Sequence, residues 1–130
     1  MAEYLILKKR KDFLRAAKDV TFVTPHVIVQ AAFCSDADKT GAPRVGFTAT
    51  KKIGKAYYRN LSKRRLRAVA HEIKRRSLMR NVDYVFVARR DTGTCKYADL
   101  KSSTLFALQK TNSILIKKQT ENEKTADCSN

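Results

Sequence analysis

Residues 45–67 read VGFTATKKIGKAYYRNLSKRRLR, and the fold prediction starts from this stretch. Apolar and polar residues alternate over 44–50, which predicts a strand with one buried face. Gly54 then allows a tight backbone turn. From about Tyr58 to Ser77 the apolar residues recur with the spacing of a helix. The stretch therefore predicts a strand, a tight turn and a long helix in succession.

The predicted helix separates its apolar and basic side chains. At about 100° per residue, one stripe is apolar and the opposite arc is polar and basic. The apolar stripe contains Leu66, Val69, Ala70 and Ile73, and the opposite arc contains Asn60, Lys63, Arg64, Arg67, His71, Lys74 and Arg75. Between residues 51 and 76 there are eleven Lys or Arg and one acidic residue, Glu72. Because a merely soluble face usually mixes the two signs, this arc predicts a phosphate-binding surface.

Composition narrows the class of partner. The chain has 130 residues, which suits a single domain, and a formal net charge of +16. Such a charge favours binding to polyanions, with nucleic acid ahead of anionic lipid. No stretch approaches 18 apolar residues and the N-terminal apolar run is short, so neither a membrane span nor a signal peptide is predicted. Three widely separated cysteines, Cys34, Cys95 and Cys128, favour a reduced, cytoplasmic setting.

The remaining elements are predicted from their local patterns. They are a helix over 8–18, strands over 26–33 and 82–88, a loop over 35–43 and a helix over 97–116. The resulting α-β-β-α-β-α order indicates an α+β two-layer sandwich with a small mixed sheet. The strand, helix and strand over 44–88 are compatible with a βαβ crossover. Residues 1–116 are expected to form one RNA-binding domain, and the polar tail, 117–130, is expected to be disordered.

Residue chemistry gives no sign of a catalytic centre within the protein. Its acidic residues are scattered, so no paired carboxylates are predicted to hold metal ions. His26 and His71 have no evident Ser or Cys partner, and His71 on the basic arc is either an RNA contact or a plain surface residue. Tyr57 and Tyr58, at the start of the long helix, are expected to pack in the protein rather than to stack on bases.

The stretch from Val45 to Arg67 resembles the signature of the protein subunit of bacterial ribonuclease P. That signature has a strand, a Lys-Lys turn with a following Gly, and a helix that opens with Arg-Asn-Arg and further basic residues. KDFLRAAK before the first strand, DYVFVARR after the helix and a final helix extend the resemblance to about residues 5–112. The chain departs at Leu61, where the family usually has the second Arg, and Arg64 and Arg65 are candidates to substitute for it.

The resemblance implies a function and two binding sites. In that family a large catalytic RNA uses Mg²⁺ ions, bound by the RNA and substrate, to cleave the 5′ leader from precursor tRNA. The protein binds the RNA through the signature helix, and it binds the leader in a cleft between the first helix and the sheet. The implied RNA-binding residues are Lys51, Lys52, Lys55, Arg59, Asn60, Lys63, Arg64, Arg67 and His71. The implied leader-binding residues are Phe13, Ala17, Val27, Val29 and Ala31.

Phe13 carries the prediction for the leader, because an aromatic ring on a basic helix can stack on an unpaired base. The alternative is that Phe13 belongs to the core. Ala17 holds a place where the family often has a second aromatic residue, and the sequence leaves open which sheet face is accessible. Two other functions remain: a ribosomal-type RNA-binding protein without linked activity, and a stand-alone nuclease that uses its own acidic residues. A cleavage assay with precursor tRNA separates all three.

Overall fold

The computed structural model describes residues 5–7, 9–32, 43–75 and 82–129. Their elements are β1 (Leu5–Ile6), α1 (Arg10–Lys18), β2 (Val20–Val23), β3 (Val27–Ala32), β4 (Arg44–Thr48), α2 (Ala56–Arg75), β5 (Asp83–Ala88) and α3 (Tyr97–Ser129). A short 3₁₀ turn, Lys51–Ile53, leads into α2. The predicted loop lies outside the described residues except for Pro43, as do Cys34 and the last two residues predicted for the long helix.

The strands form one mixed sheet in the order β1-β4-β5-β3-β2. β4 and β5 are parallel neighbours, so the chain from β4 through α2 to β5 is the βαβ unit that the sequence suggested. β3 pairs antiparallel with both β5 and β2. β5 lies at the centre and is buried on both faces, as its continuous apolar sequence predicts. The α+β class is confirmed.

Two strands were missed by the sequence prediction. β2 has four residues and pairs with β3 across the short Thr24–His26 connection. β1 has two residues and owes its strand conformation to a parallel pairing with β4, about 40 positions along the chain. Neither segment is long enough to show a clear period, and the pairing partner of β1 is remote in sequence. Pairing with a partner strand, rather than local pattern, decides both strands: a hairpin neighbour for β2 and a distant strand for β1.

The main core lies between one face of the sheet and the helices α2 and α3. The stripe predicted for α2 is buried there, with Leu66, Val69, Ala70 and Ile73 at 0–1% exposure. Leu100, Leu108 and Leu115 of α3 are also fully buried, as predicted from their spacing. This packing turns the opposite side of α2 outward, and the basic arc with it.

The short helix α1 covers part of the other sheet face. Ala16 packs with Leu7, Ala32 and Val85 in a second, smaller core. Asp83 is fully buried at the start of β5 and accepts two hydrogen bonds from Arg44, at 2.8 and 2.7 Å, and one from Arg15 of α1. Charge-assisted bonds to a buried carboxylate are strong, so this cluster fixes the position of α1 against the sheet.

The last helix is longer than predicted. α3 continues beyond the expected end at Ile116 and reaches Ser129, through the segment 117–130 that composition predicts to be disordered. An existing helix extends at little cost, because nucleation is the expensive step. The three Lys and two Glu of this segment are also good helix formers. The assignment of one RNA-binding domain over 1–116 stays a prediction.

Candidate nucleic-acid interface

The outward side of α2 presents a continuous polar surface, here called the basic stripe. It consists of Asn60, Arg64, Arg67 and His71, which are all exposed and follow one another at spacings of three or four residues. Lys51, Lys52 and Lys55 are exposed immediately before the helix. The first turn of α2 contains no acidic residue. The structure therefore presents these seven predicted RNA-binding residues to solvent, and their RNA contacts stay predictions.

The other two predicted RNA-binding residues are half-buried. Arg59 lies at the side of the stripe, and its Nε atom is buried without a hydrogen-bond partner in the described part of the chain. Lys63 turns towards β4 and lines a cavity there. Arg67 reaches the same neighbourhood, since its guanidinium lies 5.8 Å from the centre of the Phe47 ring. The stripe and the sheet thus meet along one side of α2.

Tyr58 lies beside Gly54 in residues 51–55, a segment here called the lysine turn because it contains Lys51, Lys52 and Lys55. Gly54 has φ 151°, a conformation that side chains disfavour, and a Cβ there would lie 3.2 Å from Tyr58. The Tyr58 hydroxyl donates to the carbonyl oxygen of Arg90 and accepts from the N–H of Gly93 at 3.3 Å. This confirms the packing role predicted for Tyr58. The same prediction is wrong for Tyr57, which is 73% exposed.

Arg65 has a structural task and is not available to replace the Arg that the family has at position 61. Its guanidinium donates to the carbonyl oxygens of Thr92, at 2.7 Å, and Cys95, at 2.6 Å. These bonds tie α2 to the loop between β5 and α3. Arg64 is exposed, so of the two suggested substitutes only Arg64 faces solvent.

A cavity of about 400 Å³ opens between α1, the end of β4 and α2. Its lining is Arg10, Phe13, Phe47, Thr48, Ala49 and Lys63. Phe13 is half-buried and also packs against the small core, and its stacking on the leader stays a prediction. A Cβ at Gly46 would lie 2.5 Å from the Phe13 ring, so the glycine at this position lets the ring lie on the strand. The cavity combines two aromatic rings with two cationic side chains.

The predicted sheet side of the leader site is wrong. Val27, Val29 and Ala31 are fully buried in the main core, beneath the large helices. Successive residues of a strand point to opposite faces, so the choice of the other face reverses every assignment. The one marker of the accessible face in β3 is Gln30, a polar residue that shares its side of the strand with Ile28 and Ala32.

The accessible face is the one on which α1 lies. Ile28, Val87 and Thr48 form a row across β3, β5 and β4 on that face, and all three are half-buried. Thr48 lines the cavity itself. Ala17, also predicted for the leader, is exposed on α1 but does not line the cavity, whereas Arg10, one turn before Phe13, does. Sequence reasoning missed Arg10 of α1 and Phe47 and Thr48 of β4. The alternation along β4 could not show that Phe47 and Thr48 lie beside α1.

His26, Asp91 and Cys95 have structural surroundings rather than those of a catalytic site. No group of three or more His, Cys, Asp or Glu residues could hold a metal ion there. His26 Nδ1 lies 2.7 Å from Asp91, and Thr92 donates to the His26 carbonyl oxygen, so this pair fastens the loop after β5. Burial raises the pKa of the Cys95 thiol, which keeps it in the weakly nucleophilic protonated form.

The helices of the described ranges do not include a candidate membrane span. Across residues 5–7, 9–32, 43–75 and 82–129, none of the helices combines the length and apolarity that crossing a bilayer requires.

Comparison with known proteins gives one consistent family. The ribonuclease P family model matches residues 1–112. The ribonuclease P protein component of Caulobacter vibrioides is 46% identical over 102 residues, covering 78% of this chain and 67% of that protein. The same component from Paramagnetospirillum magneticum is 37% identical, with 83% of each chain covered.

Solved structures share the fold. The RNase P protein of Staphylococcus aureus superposes with a TM-score of 0.66 at 23% identity, over 84% of this chain and 94% of that one. The RNase P protein of Thermotoga maritima gives 0.65 at 22% identity, over 80% and 94%. The match over residues 1–112 favours this family over a ribosomal-type RNA-binding protein. The chain therefore belongs to the ribonuclease P protein family.

Proposed function

We propose that the chain is the protein subunit of ribonuclease P, an endoribonuclease, and that it assists removal of the 5′ leader from precursor tRNA. The main support is that the exposed basic stripe lies next to the cavity beside Phe13. Lys63, which precedes Arg64 of the stripe in α2, lines that cavity. In this proposal α2 presents the basic stripe to the folded catalytic RNA and borders the cavity that receives the single-stranded leader. The proposal accounts for both features with one ribonucleoprotein.

The basic stripe and the lysine turn serve the catalytic RNA in this proposal. Arg64 and Arg67 provide cations for phosphates, and Asn60 can both donate to and accept from a base edge or a ribose hydroxyl. The helix is held from behind by its buried apolar residues and by Arg65, so its exposed side is presented on a rigid element. The surface is therefore organised before the RNA arrives.

The cavity serves the leader. Phe13 offers a ring for stacking, Arg10 and Lys63 attract the backbone, and Thr48 and Ala49 line the strand side. Chemistry belongs to the RNA in this proposal, and Mg²⁺ is held by the RNA and the substrate. The two fully or nearly buried carboxylates, Asp12 and Asp83, are already paired with Arg15 and Arg44.

Reconstitution with the cognate catalytic RNA tests the proposal. The complex should cleave precursor tRNA at the mature 5′ end, and the protein should raise affinity for precursor tRNA more than affinity for mature tRNA. Mature tRNA is the matched control because it lacks only the leader. An equal rise in affinity for precursor and mature tRNA would contradict the proposed leader site. A protein that does not bind the catalytic RNA would contradict the proposed function as a whole.

A further inference from the structure

Tyr57 is the most exposed large apolar side chain in the described part of the structure, at 73%. Phe106, at 50%, packs edge-on against Phe22, and Tyr97, at 39%, contacts Glu72. Tyr57 has neither a hydrogen bond nor a ring contact with any residue that the structure describes. Its neighbour Tyr58 is fully engaged, so the two tyrosines have separate tasks.

Tyr57 extends the basic stripe by one position towards the start of α2. It precedes Asn60 by three residues and Arg64 by seven, so the three side chains share one side of the helix. The exposed Lys51, Lys52 and Lys55 come just before it. The exposed aromatic ring of Tyr57 therefore has cationic residues before it and after it in the sequence.

This combination selects its ligand by chemistry. The cations can bind phosphates and the aromatic ring can stack on a base. An unpaired stretch of RNA offers both groups. A lipid surface would need an apolar helix face for insertion, but the apolar face of α2 is buried in the core. The remaining stripe residues are all polar, so a single ring would be the only group to enter a bilayer.

We propose that Tyr57 is the stacking platform for one unpaired base of the catalytic RNA, and this rests on the function proposed above. Leu61 lies one turn beyond Tyr57 and is half-buried, so this position of the helix carries no cation. Stacking at Tyr57 supplies a contact that needs no charge, next to the position where a charge is missing. The RNA is thus held by a ring at one end of the stripe and by cations along the rest.

Substitutions of Tyr57 separate stacking from other contributions. Tyr57→Ala should weaken binding of the catalytic RNA about tenfold, while Tyr57→Phe, which keeps the ring, should bind like the wild type. The dependence of log affinity on log salt should keep its slope, because no charge is removed. The Tm should not change, since the side chain is exposed. Tyr97→Ala, on α3, is the matched control and should leave affinity unchanged.

A spectroscopic readout observes the ring directly. The chain contains no Trp, so Tyr57→Trp introduces a single indole. Its emission should be quenched by the catalytic RNA and saturate at the concentrations that saturate binding. Emission that shifts with anionic lipid vesicles but is unmoved by the RNA would overturn the proposal in favour of a lipid surface.

The controls also separate this inference from the function on which it rests. If the wild type binds the RNA and Tyr57→Ala binds equally well, stacking is overturned while the proposed function stands. Full affinity in Tyr57→Leu would replace stacking by simple apolar contact and would also overturn it. Failure of the wild type itself to bind the RNA would instead remove the proposed function.

Discussion

Phe13 contacts both the small core and the cavity, so we expect it to contribute to stability and to leader binding. Its ring lies against Gly46 on β4 and also lines the cavity between α1 and α2. Phe13→Ala should therefore lower the free energy of unfolding, by about 3 kcal/mol, and weaken precursor tRNA binding. Phe13→Leu fills most of the space but cannot stack, so it should keep most of the stability while the ratio of precursor to mature tRNA affinity falls. Urea unfolding and paired affinity measurements check both results.

Ala17→Phe is the matched control for Phe13. Ala17 is exposed on α1 but does not line the cavity, so a ring there should leave the ratio of precursor to mature affinity unchanged. A clear rise in that ratio would place the leader along the outer side of α1 instead. A normal ratio in Phe13→Leu would show that the ring acts in packing alone.

Arg10 lies at the mouth of the same cavity and outside the basic stripe. Arg10→Ala should lower affinity for precursor tRNA by several-fold, because one cation near the leader is lost. Affinity for the catalytic RNA should change little. Lys18→Ala, an exposed cation of α1 that does not line this cavity, controls for the general loss of charge. Equal effects of the two substitutions would indicate diffuse attraction.

Arg64 and Arg65 are neighbours in α2 with opposite roles. Arg64 is exposed on the stripe, whereas Arg65 donates two hydrogen bonds to loop carbonyl oxygens. Arg64→Ala should reduce the slope of log affinity against log salt by about 0.7–0.9 and leave the Tm unchanged. Arg65→Lys keeps the charge but loses the fork of donors, so it should destabilise the fold by about 1–3 kcal/mol with the salt slope unchanged.

Thermal unfolding and salt titrations of the two variants check this pair of predictions. A stable Arg65→Lys protein with a shallower salt slope would move Arg65 into the RNA-binding surface. A destabilised Arg64→Ala protein would give Arg64 a structural role that its exposure does not suggest.

Local pattern predicted the large elements well and the small ones poorly. The apolar stripe of α2 is long enough for its period to define both its buried and its exposed side, so the basic stripe was predicted together with the helix. β5 was placed at the sheet centre because it is apolar on both faces. β1 and β2 were missed because pairing makes them strands and their own sequences are too short to show a period; the partner is distant for β1 and adjacent in the chain for β2.

The candidate leader site was harder to predict for the same reason. β3 is mostly apolar, and its single polar residue, Gln30, is the only sign of which face does not lie beneath α2 and α3. That choice depends on where α1 packs, which is fixed by Arg15 and Arg44 around the buried Asp83. Phe13 was found because an aromatic residue on a basic helix is visible in sequence. Its neighbours across the cavity come from the end of β4 and from α2, which only the fold brings beside α1.

The charge of the whole molecule has a different consequence from that of the stripe. A net charge of +16 attracts any polyanion, so non-specific binding should be strong at low salt. Specific binding should persist where non-specific binding has already been lost, because the stripe and the cavity add shape and stacking to charge. Affinities for different RNAs are therefore comparable only at one stated salt concentration.

The last prediction concerns the source of catalysis, and it applies to the complete chain. The described residues contain no cluster of carboxylates or imidazoles for metal ions, and their buried acids are paired with arginines. RNA-free protein, treated with nuclease and repurified, should not cleave precursor tRNA in the presence of Mg²⁺. Adding the catalytic RNA should restore cleavage at the mature 5′ end, and Arg64→Ala should require more protein to do so. Site-specific cleavage that tracks with RNA-free protein through purification would contradict this prediction and assign the chemistry to the chain itself.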